Sequence, residues 1–179
     1  MGKARDKARG QENIWAPWRM EYISGLAEGD DGCFLCRCRD GADDAKDLVL
    51  WRGGRALAVL NRFPYTGGHS LVAPLEHLAG PGDLDNETML ELFQMLRDCQ
   101  RVLEAAVRAQ GFNIGMNLGR CAGAGLPGHL HVHVVPRWSG DTNFMPVLGE
   151  ASVIPVALDK LHGQLRQAAR ELKLPWQMT

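Results

Sequence analysis

The sequence predicts an α+β fold in which an antiparallel sheet of short strands is interrupted by one long helix. Three observations carry that expectation. Between Leu48 and Pro74, short apolar runs alternate with Gly- and Pro-containing turns, the pattern of hairpin-connected strands. From about Asn86 to Gln110 the apolar spacing changes to a helical period. Two more strand-like segments and a terminal helical pattern follow, an order that suits an antiparallel sheet rather than βαβ winding.

The 179 residues suit one domain with decorated ends: a flexible tail (1–13), a main domain (14–150) and a C-terminal helical extension packed on it (151–179). The opening "MGKARDKARGQEN" is charged and leads into no apolar h-region, so no secretory signal is expected. Asp6 stands where a myristoylation signal has Ser or Thr. "IWAPWRMEYI" (Ile14–Ile23) concentrates two tryptophans, a proline and a tyrosine, and reads as an arm laid on the domain or on a partner subunit. "CFLCRC" comes next, then an exposed loop, "DGADDAK". The strands expected after it are Leu48–Trp51, Ala56–Asn61 and His69–Pro74. In the long helix Met89, Leu92, Phe93, Leu96, Leu103, Ala106 and Val107 trace one face, with Asp85 as N-cap and Gly111 as the stop. Phe112–Gly119 is another strand, and a histidine-bearing strand ends at Pro136. The last helix is expected from about Pro155 to Leu172, with Leu158, Leu161, Leu165, Ala168 and Leu172 on its apolar side.

Composition excludes several partners. The chain is 45% hydrophobic and 23% charged with a net charge of −1, so no global basic field recruits nucleic acid. No apolar run approaches the roughly 18 residues of a membrane span. Five cysteines make an odd number without a framework of pairs, which favours reduced thiols and a cytoplasmic location. Cys99 reads as a core residue, Cys121 sits in a glycine-rich turn, and His162 is expected to be solvated.

The chemistry gathers in "GHLHVHVVPRW" (Gly128–Trp138), which holds three of the six histidines at alternate positions. On an extended chain Leu130, Val132 and Val134 face the core, while His129, His131 and His133 share the opposite face about 7 Å apart. Such a row serves either as metal ligands or as a nucleophile with its helpers. Adjacent residues of one strand face rarely converge on a single tetrahedral centre. The alternative makes the middle imidazole a nucleophile on phosphorus, oriented and assisted by its neighbours. The preceding "GRCAGAGLPGH" favours the second, because Gly119, Gly123, Gly125 and Gly128 leave backbone N–H groups free to close around anionic oxygens. A phosphate cradle beside a nucleophilic histidine points to nucleotidyl transfer. Separately, Cys33 and Cys36 have the C-x₂-C spacing of half a zinc site, which a buried pair or a redox motif explains as well. Asn61 and Asn117 alone read equally well as turn amides bonding their own backbone.

"HLHVHVVP" resembles the His-φ-His-φ-His-φ-φ signature of the histidine-triad (HIT) superfamily, and the likeness continues through "NRFPYTGGHSLVAPLEH" and "NIGMNLG", over roughly residues 33–145. The resemblance implies a HIT-like fold with a five-stranded antiparallel sheet, helices on one face, and a homodimer or higher homo-oligomer. It implies purine nucleotide substrates and a nucleotidyl-histidine intermediate formed on His131. It further implies that His133 assists at the phosphate, that Asn117 contacts the α-phosphate or leaving group, that Asn61 reads ribose hydroxyls, and that His69 supports the triad from the adjacent strand. Many relatives carry Ser or Thr shortly before the first histidine. Leu126, Pro127 and Gly128 supply no hydroxyl here, so phosphate contacts fall to the amides of Gly123, Ala124 and Gly125, or to Arg120 or Arg137.

"PRWSGDTNFMPVLG" and the aromatic arm are similar to bacterial HIT proteins of the diadenosine tetraphosphate phosphorylase type. That likeness implies inorganic phosphate as the second substrate and ADP and ATP as products; Trp138 stacked on adenine with Asp141 or Asn143 capping the pocket is one reading of those residues, and a structural role for all three is the other. In zinc-carrying relatives the ligands are the Cys pair, the histidine after the "VxP" strand and the first triad histidine. Those positions are Cys33, Cys36, His77 and His129, a structural zinc site pinning the N-terminal segment to the sheet; Cys38 lies too close to Cys36 for usual spacing. No organic cofactor is implied. Two alternative functions are a purine nucleoside phosphoramidate or dinucleoside polyphosphate hydrolase and, from another class, a non-catalytic nucleotide-binding protein.

Overall fold

The computed structural model describes residues 32–141 and 156–178. The aromatic arm at 14–23, the tail at 1–13 and Asn143 lie outside the described residues. Five strands form one sheet: β1 (Val49–Arg52), β2 (Ala56–Leu60), β3 (Ser70–Pro74), β4 (Gly111–Gly115) and β5 (Val132–Arg137). Their order across the sheet is β1-β2-β3-β5-β4, every neighbouring pair antiparallel. The helices are α1 (Phe34–Asp40), α2 (Asp44–Asp47), α3 (Asn86–Val107) and α4 (Leu158–Glu171).

Alternation within the strands sorts residues to two faces. Leu50, Ala58, Val72, Val132 and Val134 pack with α3 and α4 in the larger core. Val49, Leu57, Val59, Leu71 and Ala73 face the other way and are covered by Leu35 and Cys38 of α1. Because Leu71 is paired with His133, the histidine side of β5 lies on this second face, away from the long helix. The expected alternation therefore holds, although β5 proper begins at Val132 rather than Leu130.

Asp85 caps α3 as expected, its side chain accepting from the Thr88 N–H. The buried stripe is rotated from the expected one: Leu92, Met95, Cys99, Val102 and Leu103 are buried, whereas Met89 and Phe93 are exposed. Phe93 follows Leu92 by one residue, about 100° round the helix, and so points off the sheet. The helix also stops earlier than Gly111. Arg108 takes the left-handed C-cap position, and the Trp138 indole N–H donates to the Val107 and Arg108 carbonyls at 3.1 and 3.0 Å. That donor satisfies carbonyls the helix end leaves open.

The expectation for His162 is corrected. It is buried, and its Nε2–H donates to the Val49 carbonyl at 2.7 Å, tying α4 to β1. Beside it, buried Asp44 pairs with Arg52 of β1 and with Arg166 of α4. Arg52 also donates to the Cys38 and Gly41 carbonyls. Gln177 then bridges Arg52 through two backbone hydrogen bonds, so the C-terminal segment covers the outer edge of β1. Asp44→Ala strands two largely buried guanidinium groups and is expected to lower stability by about 3 kcal/mol in urea unfolding. A loss under about 1 kcal/mol would mean that the carbonyl acceptors suffice.

Candidate functional site

Each imidazole of the row has a different partner. His129 is buried, and its Nε2–H donates to the Pro74 carbonyl at 2.9 Å, leaving Nδ1 with its lone pair. That Nδ1 lies 3.1 Å from Cys33 Sγ and 3.6 Å from Cys36 Sγ. His131 reverses the pattern: its Nδ1–H donates to the backbone carbonyl of His129 at 2.8 Å, so the lone pair falls on Nε2. Burial holds the His131 imidazole below its ordinary value, partly offset by that hydrogen bond, and so keeps it neutral. The ring is packed edge-on against His133, centroid to centroid 5.0 Å. A neutral imidazole with an oriented lone pair is a competent nucleophile.

His69 joins from the chain just before β3, as expected, with its Nε2 2.9 Å from His133 Nδ1. It is fully buried, and that burial, with the neighbouring His133 and His131, pushes it down to about 3. Asn61 meets the same ring: its Nδ2 is 3.2 Å from His69 Nδ1, while its Oδ1 accepts from Phe63 N–H at 3.0 Å. Tyr65, which the sequence reading left aside, stacks its ring 4.6 Å from His69 and 6.1 Å from His133. An aromatic four residues before a histidine within one tight turn was the available signal.

The glycine-rich turn precedes the row as expected. Gly119 and Gly123 both adopt positive φ around the short 3₁₀ turn Arg120–Ala122. The amides of Gly123 and Ala124 donate to the Arg120 and Gly119 carbonyls, closing the turn on itself. The Arg137 guanidinium is bound to Asp141 and to Asn113. Trp138 has its indole N–H at the end of α3. Asn117 lies two residues past Gly115, which is paired with His133, and so follows β4 toward the triad.

The Cys–His cluster also assembles. One ligand atom from each of Cys33, Cys36, His77 and His129 lies within 4.8 Å of the others, and His77 Nδ1 is 3.3 Å from Cys36 Sγ. A zinc ion with bonds of about 2.0–2.3 Å needs ligand atoms roughly 3.3–3.8 Å apart, so a small contraction of the widest pair completes a tetrahedron. Burial and the adjacent Cys33 push the Cys36 thiol up, so Cys36 holds its proton until a cation displaces it. Gly128 lets His77 sit close, because a Cβ there would meet His77 Nε2 at 3.2 Å and shift the ring slightly. Cys38 turns away to the Asp47 carbonyl, and Cys99 is in the core.

A five-stranded antiparallel sheet with this row on one face defines a histidine-triad protein. The comparisons agree: a family model described as the HIT domain matches residues 43–140, more than half of the chain, and the chain belongs to that family. A relative from Mycobacterium tuberculosis (strain ATCC 25618 / H37Rv) named AP-4-A phosphorylase is 37% identical over 153 residues, 82% of this chain and 78% of its own. An asymmetrical bis(5'-nucleosyl)-tetraphosphatase of Schizosaccharomyces pombe is 32% identical over 117 residues, 65% of this chain and 60% of its own. Among solved structures, a Zn-bound histidine triad family protein from Mycobacterium smegmatis superposes with a TM-score of 0.65 at 27% identity, covering 81% of this chain and 98% of its own.

The burial of neutral His69 makes stability depend on pH. Its folded value of about 3 lies below the ordinary 6.5, so folding excludes a proton. The contribution is complete above about pH 6.5 and is lost as the pH falls from there toward 3. The stability difference between wild type and His69→Gln is therefore expected to shift by about 2 kcal/mol against the wild type between pH 7 and 5. Urea midpoints at the two pH values measure it, and a pH-independent difference would mean that His69 protonates in place.

Proposed function

We propose that the protein is an enzyme that cleaves dinucleoside polyphosphates by phosphorolysis, converting diadenosine tetraphosphate and inorganic phosphate to ADP and ATP. The observation that carries this is the 2.8 Å bond from His131 Nδ1–H to the His129 carbonyl, which aims the Nε2 lone pair outward as a nucleophile. His131 Nε2 attacks the α-phosphorus of one adenosine; the bond to the bridging oxygen breaks and ATP leaves. An oxygen of inorganic phosphate then attacks the adenylyl-histidine, forming ADP and restoring His131. His133 donates a hydrogen bond to the phosphoryl oxygens or the departing oxygen, and the turn at Gly123, Ala124 and Gly125 borders the phosphates. Asn117 approaches from the end of β4. The name of the mycobacterial relative supports this substrate and this acceptor.

A structural zinc fits Cys33, Cys36, His77 and His129, cross-linking α1 to the strand that carries His131. A homodimer is favoured by β4, a sheet edge with Ile114 and nearby Leu118 exposed. A cytoplasmic location suits five free thiols. Hydrolysis is the second reading, because the Schizosaccharomyces pombe relative is named a tetraphosphatase; the missing hydroxyl before His129 weighs against hydrolase-type assistance to the leaving group.

Purified protein incubated with diadenosine tetraphosphate is expected to yield ADP plus ATP only when phosphate is present; AMP plus ATP in phosphate-free buffer would replace phosphorolysis by hydrolysis. His131→Asn is expected to lower turnover by about 10⁴-fold or more while nucleotide binding survives, and retained turnover would remove His131 as nucleophile. Elemental analysis should find about one zinc per chain, lost in Cys33→Ser; metal-free wild type would leave the four residues as a thiol–imidazole cluster.

A further inference from the structure

The turn between β2 and β3 does more than approach the triad, because its hydrogen bonds run in one direction. A backbone N–H can only donate. The Phe63 N–H donates to Asn61 Oδ1 at 3.0 Å, which settles the orientation of that amide and makes Nδ2 the atom facing His69. Asn61 Nδ2 lies 3.2 Å from His69 Nδ1 and 3.4 Å from its Nε2, over the face of the ring, whereas the Tyr65 backbone N–H donates to Nδ1 at 3.1 Å. With that backbone donor aimed at it, Nδ1 must carry the lone pair. His69 is fully buried and neutral, so its single ring proton sits on Nε2, 2.9 Å from His133 Nδ1. His133 Nδ1 is in turn the acceptor, and its ring proton is left on Nε2.

We infer that His69 is a positioning residue which, set by the Tyr65 amide, holds His133 in the Nε2–H tautomer and in one ring orientation. The inference rests on the reading that His133 donates a hydrogen bond during phosphoryl transfer, since only a ring with a fixed N–H can do so without reorganising. The tilted rings of His69 and His133, 5.2 Å apart with Tyr65 against both, leave the imidazoles little room to turn.

Two measurements test this on the full chain. With ¹⁵N-labelled histidine, the wild type is expected to show a ¹⁵N–¹⁵N coupling across the His69–His133 bond, with the proton on His69 Nε2. A proton on His133 Nδ1 would overturn the inference. In turnover of diadenosine tetraphosphate, His69→Leu is expected to lower kcat by about 10-fold or more with little change in KM. His69→Gln, whose amide N–H₂ reaches the Nε2 position, should recover most of that loss, whereas His69→Asn, whose shorter amide reaches only the Nδ1 position, should not. Equal losses in Gln and Asn variants would reduce His69 to a packing residue. The coupling needs no substrate, so a wild type with the expected proton position but no turnover would sink the reaction and leave the tautomer assignment standing.

Discussion

The site depends on one hydrogen bond, from the His131 ring to the backbone carbonyl two residues earlier. His129 and His131 lie just before β5, whose register is set by β3 from Val132 and by β4 from His133. The carbonyl belongs to a residue that is itself immobilised: its ring is buried, bonded to the Pro74 carbonyl and turned into the Cys–His cluster. The orientation of the reactive imidazole is therefore inherited from how β3 ends and how α1 is attached. A metal in the cluster would stiffen this arrangement without approaching the phosphorus, which is why its proposed role is structural.

Seen this way, three identical side chains on one face become chemically distinct through their ring nitrogens. A carbonyl accepts from His129 Nε2 and leaves Nδ1 for a metal; another accepts from His131 Nδ1 and leaves Nε2 as a nucleophile. The His69 ring sits at His133 Nδ1. Of these five nitrogens, four face partners that lie far away in the sequence or on the backbone. Residue type alone could not have told the rings apart.

That limit separates what was legible in the sequence from what was not. Alternation in "HLHVHVV" is a local property of extended chain, so it placed the histidines on the face opposite Val132 and Val134 correctly. The ligand set Cys33, Cys36, His77 and His129 came with the family resemblance, and the fold brings those four together. The phase of the α3 stripe was misjudged because periodicity gives spacing but not where the sheet lies: Met95, Cys99 and Val102 point inward, and Phe93 does not. His162 looked solvated because its partner is a strand carbonyl 113 residues away. Hydrogen bonds from Trp138 to the end of α3 and from Arg137 to Asp141 fix these two side chains, and the partner of Trp138 is some thirty residues away in the sequence.

The two edges of the sheet are treated differently, and the difference bears on the site. At β1, the C-terminal segment supplies backbone partners through Gln177 and anchors itself by Arg166 on Asp44 and by Trp176 on Asp98. An edge closed in this way offers no template for another strand. At β4 the burial pattern fades toward the C-terminal end, where Ile114 is exposed and Gly115 stands opposite His133. A second copy pairing along β4 would bury apolar side chains that the monomer leaves in water, and would bring its own chain beside Asn117 and the phosphate turn. The C-terminal extension thus covers β1 and leaves β4 as the open edge among the described residues, next to β5.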